Sequence, residues 1–375
     1  MEKTIALMPG DGIGVEVMAS ARQILTRLRE KYQLPLAWDE LEWPSTAWHQ
    51  NNGSMMPDDA LSRLHQYDAL LLGALGDPGP ADEPERYRLP DGVSLAPLLQ
   101  FRKGLDLWAC ERPARLLPGA TQYLADPRAA QTDMLVIREN SEGEYVNQGG
   151  RLHPGTAMEV ATQLEVFTRP ATQRLIRHAF ERARQRNQQR EANNQPRLYQ
   201  CDRQSQAAAQ VCLITKRNAL PAWGEMYTEI FAEIAVDYPD IGTHHELVDA
   251  ACMKFVQSPW QFDVVVASNL HGDILTDLAA VLAGGLGVAP SCNINPSDKT
   301  RPALFEPTHG SAPDIAGKGL ANPTAMLLTS AMMLQWLGFE QAGEALREAV
   351  AQDLQSSRQQ HRNTVQITAS ILKMI

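Results

Sequence analysis

Short apolar runs alternate along the chain with longer segments of helical spacing. The runs at residues 4–8, 69–72, 134–137, 211–215 and 264–267 are rich in aliphatic side chains, which is typical of strands buried on both faces. Between them, residues 15–32, 172–186 and 226–236 show the apolar spacing of helices. Strands separated by helices predict an α/β fold with a mostly parallel sheet, whose ligand sites lie where strands end at their carboxyl edge.

One segment departs from this pattern. Residues 184–210 are rich in Gln, Asn and Arg and contain few apolar residues, so we expect an exposed, partly disordered insertion. An RNA-binding tail is the alternative interpretation, but Tyr199 is the only aromatic residue in the run. The composition therefore favours a solvated insertion.

Composition narrows the class of protein. A chain of 375 residues with 44% hydrophobic residues predicts two domains or one large α/β unit. Its 34 basic and 44 acidic side chains give a net charge of −10, which argues against binding to nucleic acid or an anionic membrane. The five cysteines are scattered without a C-x-x-C pair, so we expect neither a disulfide framework nor a zinc cluster.

The N-terminus lacks a signal-peptide pattern, and no apolar stretch reaches the roughly 18 residues of a membrane span. We therefore expect a cytoplasmic protein.

A glycine-rich turn follows the first predicted strand. Residues 10–14 (GDGIG) open a helix as a dinucleotide-binding finger would, but the third glycine of G-x-G-x-x-G is missing. A tight strand-to-helix turn explains these glycines at least as well as phosphate binding does.

The clearest chemical signal is the segment 269–277 (NLHGDILTD), which follows the strand at 264–267. If a helix begins near Gly272, Asp273 and Asp277 lie at i and i+4 on one face, where like charges repel. A hard divalent cation such as Mg²⁺ or Mn²⁺ would offset that repulsion. Placement at a helix N-terminus is the alternative, and it explains Asp273 better than Asp277. Asp249 is a possible third ligand.

Three arginines beside strand or turn signals suggest an anionic ligand. Arg102, Arg112 and Arg138 each carry a planar fork that grips carboxylates bidentately. Taken singly, each is typical of a surface ion pair, but together they could bind a dicarboxylate. The loop at 306–318 could expose backbone N–H groups to phosphates, and its Asp314 could accept hydrogen bonds from ribose hydroxyls.

Taken together, these motifs resemble the β-decarboxylating dehydrogenases, which include the 3-isopropylmalate, isocitrate, homoisocitrate and tartrate/D-malate dehydrogenases. The matching stretches are residues 9–14, 101–113, 136–145, 215–218, 268–277 and 306–323. The resemblance implies a two-domain α/β fold like that of isocitrate and isopropylmalate dehydrogenases, with a large mixed sheet flanked by helices, and not a Rossmann fold. It implies a discontinuous cofactor domain (1–107 plus 284–375) and a substrate and dimerisation domain (108–283), with a clasp arm near 146–169 and the polar insertion 184–210.

The resemblance also implies a reaction. The family oxidises a (2R)-hydroxy dicarboxylic acid with NAD(P) and releases CO₂ with the help of Mg²⁺ or Mn²⁺, and a monovalent cation such as K⁺ could assist. Lys216 would be the general base and Tyr145 the proton donor to carbon. The remaining roles would fall to Arg102, Arg112, Arg138, Leu98 and Leu99 for the substrate, to Asp249, Asp273 and Asp277 for the metal, and to Glu306, His309, Gly310, Ser311, Ala312, Asp314 and Asn322 for the cofactor.

Two further expectations concern the cofactor and the assembly. The carboxylate of Asp314 can accept from a ribose 2′-hydroxyl but repels a 2′-phosphate, so NAD is favoured over NADP. The family forms homodimers in which the lysine matched by Lys216 and one metal aspartate come from the neighbouring chain. Each active site of this protein would then need two subunits.

The stretch 91–102 bears on the substrate. It resembles the tartrate/D-malate branch, because Leu95 stands where isopropylmalate enzymes typically place Glu. The alternatives are a 3-isopropylmalate dehydrogenase, a specialised enzyme for a related 3-substituted malate, and a non-catalytic regulatory paralogue. Two departures from the family pattern leave the exact substrate open: Cys110 replaces a usual Asn, and His271 replaces a common Phe.

Overall fold

The computed structural model describes residues 2–76, 89–202, 206–357 and 361–375. The strands are β1 (Lys3–Gly10), β2 (Leu36–Glu40), β3 (Ala69–Ala74), β4 (Ala109–Arg115), β5 (Asp133–Glu139), β6 (Gly149–Leu152), β7 (Val160–Gln163), β8 (Gln210–Thr215), β9 (Gly242–Leu247), β10 (Val264–Ala267), β11 (Pro290–Ile294) and β12 (Ala303–Pro307).

The helices are α1 (Gly14–Tyr32), α2 (Thr46–Asn52), α3 (Ala60–Leu64), α4 (Asp91–Ser94), α5 (Ala96–Gly104), α6 (Arg169–Ala192), α7 (Pro221–Ala235), α8 (Val248–Gln257), α9 (Asn269–Leu282), α10 (Thr324–Trp336), α11 (Glu340–Ser356) and α12 (Thr364–Met374). All five predicted strands and all three predicted helices are confirmed. None of the helices in the described part of the chain is long and apolar enough to cross a membrane.

The chain divides into two compact units. The first unit comprises Met1–Leu107, Glu111–Gln131 and Ala280–Ile375, and the second comprises Trp108–Cys110 and Thr132–Ala279. The segment Glu111–Gln131 and residues 280–283 thus group with the first unit, whereas the predicted boundaries placed all of 108–283 in the other domain. The functions expected of the two domains stay predictions.

The first unit contains strands in the order β2-β1-β3-β12-β11. β1 lies parallel to β2 and β3, β3 lies parallel to β12, and β11 and β12 are antiparallel. Helix α1 packs on β1 and β3 and also contacts α10 and α12, with Val17, Ala21, Ile24 and Leu28 fully buried. The prediction of an α/β fold with a mixed sheet and flanking helices is confirmed.

The second unit contains the parallel strands β5-β10-β8-β9. Helix α6 packs against β5, β8 and β10, and α7 packs against α6 and β8. Strands β6 and β7 form a separate antiparallel pair. Leu152 and Val160 on these strands and Met158 in the connection between them are exposed. This pair lies in the predicted clasp arm, 146–169, and its contact with a second subunit stays a prediction.

The prediction of an exposed, partly disordered insertion at 184–210 is confirmed only in part: residues 191–196 are exposed, but the segment also contains helical and buried residues. Helix α6 continues to Ala192, and Tyr199 is only 2% exposed. Arg186 and Arg190 both pair with Asp263, which is fully buried. Composition was misleading because an arginine that meets a buried carboxylate can itself be buried. Residues 203–205 lie outside the described residues, so the prediction is not judged for them.

Candidate active site

Arg138 is the centre of a polar cluster in the second unit. It is the second-to-last residue of strand β5, next to Glu139, and is 1% exposed. Its Nε and one terminal nitrogen donate to the side-chain oxygen of Asn269 at 3.0 and 2.7 Å, and the other terminal nitrogen donates to Asp273. The Tyr145 hydroxyl donates to the second carboxylate oxygen of Asp273 at 2.8 Å. Three residues predicted for the site, Arg138, Tyr145 and Asp273, are therefore brought together.

The start of α9 explains how Arg138 and Asp273 meet. A Cβ atom at Gly272 would lie 2.7 Å from the Cβ and Cγ atoms of Arg138, so only glycine lets the helix approach β5 this closely. Glu144 binds the same helix start, accepting from the Ser268 hydroxyl at 2.6 Å and the Leu270 amide at 3.0 Å.

Helix α9 begins at Asn269, three residues before the predicted start near Gly272. Asp273 and Asp277 do lie at i and i+4 on one helix, with Asp273 half-buried and Asp277 exposed. Because Asp273 is in the second turn, the helix dipole, which acts within the first turn, does not account for it. The alternative of simple N-terminal placement therefore loses its support.

Lys216 and Asp249 form a second polar group of this unit. β8 and β9 are parallel, with Thr215 opposite Leu247, so the residues that follow both strands emerge at the same edge of the sheet. The Lys216 ammonium donates to an Asp249 carboxylate oxygen at 2.6 Å. This hydrogen bond lowers the pKa of Asp249 from its ordinary value, and the Asp249 side chain is 61% exposed.

The donor chemistry of these carboxylates suits a hard cation. Asp249, Asp273 and Asp277 each retain exposed surface and offer only oxygen, the ligand that Mg²⁺ and Mn²⁺ prefer. Within the described part of one chain, no group of three or more acidic, His or Cys residues is close enough to hold a metal ion. The three-aspartate metal set stays a prediction.

Arg102, a predicted substrate ligand, lies in α5 of the first unit and is 4% exposed. Its guanidinium donates to Glu306 at 3.2 Å, and the Asn293 amide donates to the same carboxylate oxygen at 2.9 Å. Of the two leucines, Leu98 packs against the hydrophobic core, whereas Leu99 is 39% exposed. Arg102 and Glu306 are thus brought together. Leu99, three residues before Arg102 in the sequence, has an exposed apolar side chain.

The remaining arginine, Arg112, lies in β4 and is half-buried. It belongs to the first unit together with Arg102, whereas Arg138 belongs to the second. Whether all three hold one dicarboxylate stays a prediction.

Apart from Glu306, which lies in β12, the predicted cofactor residues lie in and just after an irregular segment, residues 308–320, which we call the cofactor loop. Burial lowers the pKa of His309 from its ordinary value. The next residues, Gly310, Ser311 and Ala312, lead into a turn, and Ala312 has a φ of +42°. Asp314 is exposed, as is Asn322 after the loop, and the Asn322 side chain accepts from the Thr324 amide at 3.0 Å. Both have surface to offer a ligand.

The glycine turn at 10–14 packs against this loop. The Ile13 amide donates to the Ser311 carbonyl at 2.8 Å. Gly12 has φ +56°, and a Cβ atom there would lie 2.1 Å from the same carbonyl oxygen. These glycines are explained by a tight turn and close approach to the loop, which was one of the two interpretations left open.

Several contributing residues were missed by the sequence analysis. Asn269 orients Arg138, Glu144 binds the start of α9, and Asn293 donates to Glu306. Asn269 and Glu144 lie inside motifs that were recognised, so position within the motif was the available signal. For Asn293, in the middle of a short strand, no sequence signal was available.

The two departures from the expected pattern are both buried. Cys110 is fully buried in β4. His271 is 8% exposed and lies 5.6 Å from the Trp223 ring, centroid to centroid. His271 thus fills an aromatic packing position, which fits the Phe that it replaces.

Comparison with known proteins identifies the chain's relatives. Residues 4–194 and 199–370 match the isocitrate/isopropylmalate dehydrogenase family. The chain is 40% identical to a 3-isopropylmalate dehydrogenase of Thermobifida fusca, over 99% of this chain and 97% of that protein. It is also 40% identical to the decarboxylating D-malate dehydrogenase of Escherichia coli (92% and 90% covered). A protein named "Probable tartrate dehydrogenase/decarboxylase" from Bacillus subtilis is 42% identical (93% and 89% covered).

A solved structure supports the same grouping. The isocitrate dehydrogenase of Methylococcus capsulatus superposes with a TM-score of 0.80 at 32% identity, and the match covers 99% of both chains. The chain therefore belongs to the isocitrate/isopropylmalate dehydrogenase family and is an oxidoreductase of the decarboxylating hydroxyacid dehydrogenase type.

Proposed function

We propose that the protein catalyses the NAD-dependent and divalent-metal-dependent oxidative decarboxylation of a (2R)-hydroxy dicarboxylic acid, with D-malate or tartrate as its substrate. The observation that carries this proposal is the half-exposed carboxylate of Asp273, held by both Arg138 and Tyr145. A carboxylate fixed by a buried arginine and a tyrosine hydroxyl, yet open to solvent, is suited to bind a cation in a defined place. The cation would be held by Asp249, Asp273 and Asp277.

The bound groups and the side chains divide the chemistry. NAD supplies the hydride acceptor, and a divalent cation supplies Lewis-acid polarisation of the substrate oxygens. Lys216 takes the proton from the substrate hydroxyl, directly or through water. Tyr145 gives a proton to the carbon that has lost CO₂. Arg102, Arg112 and Arg138 bind the substrate carboxylates through bidentate hydrogen bonds.

The choice of NAD rests on Asp314. Its exposed carboxylate can accept from both hydroxyls of an adenosine ribose, and it repels the phosphate that distinguishes NADP.

We propose a homodimer with shared active sites, supported by the family resemblance and by the exposed apolar residues Leu152, Met158 and Val160 of the clasp arm.

A second candidate, 3-isopropylmalate, has specific support. The isopropylmalate dehydrogenase relative aligns with 99% of this chain, against 92% for the D-malate enzyme. The exposed Leu95 and Leu99 side chains near Arg102 in the sequence could also contact an alkyl substituent. The stretch 91–102, which resembles the tartrate/D-malate branch, favours the first proposal.

The test measures NADH formation by the purified protein with Mn²⁺ and NAD on D-malate, the tartrate isomers, 3-isopropylmalate and isocitrate. L-Malate is the matched control, because it differs from D-malate only in configuration. We expect turnover of D-malate or a tartrate, its loss with a chelator, and a much lower rate with NADP. Turnover mainly of 3-isopropylmalate would contradict the substrate assignment, and no NADH from any compound would favour a non-catalytic paralogue.

A further inference from the structure

Hydrogen bonds to distant parts of the chain fasten the cofactor loop along its length. The Ser311 carbonyl accepts from the Ile13 amide at 2.8 Å. At the other end, the Gly319 carbonyl accepts from the Thr364 amide at 2.9 Å, and the Ala321 carbonyl accepts from the Thr364 hydroxyl at 2.6 Å. Between these two ends, the Gly317 amide donates to a carboxylate oxygen of Glu16, in the first turn of α1.

Around its two glycines the loop has few packing contacts besides the hydrogen bond to Glu16. Gly317 and Gly319 have φ angles of +74° and +68°, and a Cβ atom at either would meet nothing within 4 Å. A cavity of about 360 Å³ lies beside them, lined by residues that include Glu16, Gln23 and Val365. A turn that is formed by glycines over a cavity lacks the side-chain packing that normally fixes a loop.

Asp314 belongs to the same turn. The Ile315 and Ala316 amides donate to the Ala312 carbonyl at 3.1 and 3.2 Å, and the Lys318 amide donates to the Ile315 carbonyl at 3.2 Å. These successive hydrogen bonds join the turn from Ala312 to Lys318. A shift of Gly317 would therefore move the backbone that presents Asp314.

We infer that Glu16 is a positioning residue for the cofactor: through Gly317, it holds the turn in the conformation that presents Asp314 to the cofactor ribose. This inference rests on the proposed NAD-dependent function. The second carboxylate oxygen of Glu16 is buried and has no hydrogen-bond partner. A glutamine, which keeps one oxygen acceptor for the Gly317 amide, should therefore replace Glu16 with little loss.

The kinetic experiment compares Glu16→Ala and Glu16→Gln with the wild-type protein. Losing the hydrogen bond to Gly317 should raise the KM for NAD about 10- to 150-fold, as expected for one hydrogen bond to a charged group. The KM for the hydroxy acid and kcat should change less than about twofold, because Glu16 does not touch the reacting atoms. Glu16→Gln should restore the KM for NAD to near the wild-type value.

Glu340→Ala is the matched control. Glu340 is also a first-turn acid, in α11 of the same unit, and it is exposed. Its removal has the same effect on a helix dipole without a contact to the loop. If Glu16→Ala raises the KM for NAD no more than Glu340→Ala does, or if Glu16→Gln fails to rescue it, the positioning role is contradicted.

Hydrogen–deuterium exchange of the cofactor-free protein provides a readout independent of turnover. Amides of residues 315–319 should exchange faster in Glu16→Ala, but not in Glu16→Gln or Glu340→Ala. Unchanged exchange in Glu16→Ala would overturn the inference. If exchange changes as expected but the wild-type protein neither binds nor reduces NAD, the proposed function fails, and with it the link from Glu16 to the cofactor, while the contact to Gly317 stands.

Discussion

Two clusters of the second unit each hold an aspartate against buried arginine side chains. Asp263 accepts from the Nε of Arg186 at 2.9 Å, from two nitrogens of Arg190 at 2.8 and 2.9 Å, and from the Gln210 amide at 3.2 Å. Asp273 accepts from Arg138 and from the Tyr145 hydroxyl. Both clusters thus pair an aspartate carboxylate with arginine.

They differ in how the carboxylate meets solvent. Asp263 is fully buried, and its four donors surround both oxygens, so it fastens α6 to the start of β8. The Asp273 side chain is 38% exposed while its partner Arg138 is only 1% exposed. Exposure of the carboxylate, rather than the presence of an ion pair, thus separates a cluster that stabilises the fold from one that can bind a ligand.

The largest expected effect is the loss of turnover in Asp273→Asn. The amide keeps the shape and can still accept from Tyr145, but it removes the charge that would attract a cation. We expect kcat to fall about 10² to 10³-fold, as for other losses of active-site electrostatic stabilisation. The loss in free energy of unfolding should be smaller than that of Asp263→Asn, because the Asp273 carboxylate is 38% exposed and solvent screens its charge. Steady-state rates and urea unfolding measure both. Unchanged turnover at saturating Mn²⁺ would remove Asp273 from the metal site.

Asp263→Asn should lower the stability of the protein strongly and its turnover little, the opposite of Asp273→Asn. It removes the counter-charge of the buried Arg190 guanidinium, whereas Arg186 keeps its pair with Asp133 at 3.2 Å. The free energy of unfolding should therefore fall by about 3–5 kcal/mol. The kcat of the fraction that remains folded should stay near the wild-type value. Urea unfolding and active-site titration measure the two quantities. A loss of turnover without a loss of stability would contradict the assignment of the Asp263 cluster to stabilising the fold.

The free energy of unfolding should also depend on pH, and this effect is smaller than those of the two substitutions. Burial lowers the pKa of both His245 and His309 below the ordinary value, so near pH 6.5 the unfolded chain binds more protons than the folded protein. The free energy of unfolding should therefore be highest above pH 7 and fall as the pH drops towards 5.5, by less than about 1.4 kcal/mol per pH unit for each histidine. Thermal unfolding from pH 7.5 to 5.5 would show this, and His245→Gln should flatten the slope. A stability that rises towards pH 5.5 would contradict the assigned directions.

The sequence predicted the regular parts of the fold well. The run at 264–267 coincides with β10, and the spacing of Asp273 and Asp277 on one helix is confirmed. Periodicity is a local property, so residues within one element reveal it. The start of α9 was placed three residues late, because the Glu144 side chain that binds its first turn comes from a distant part of the chain.

Other features depend on contacts that composition does not record. The segment 184–210 was predicted to be solvated because its residues are polar, whereas Arg190 is buried against Asp263, 73 residues away. The contact from Glu16 to Gly317 spans 301 residues. Such pairs form only once the fold brings distant segments together.

The close approach at Gly272 links two positions of the sequence. Since a Cβ atom at 272 would lie 2.7 Å from both the Cβ and the Cγ atom of Arg138, Gly272→Ala should be harmful with any residue other than glycine at 138, and a glycine there would no longer reach Asp273. The two positions are therefore epistatic. A substitution at either position alone should impair the packing of α9 on β5 or the contact of Arg138 with Asp273. A joint substitution could restore the packing but would lose that contact.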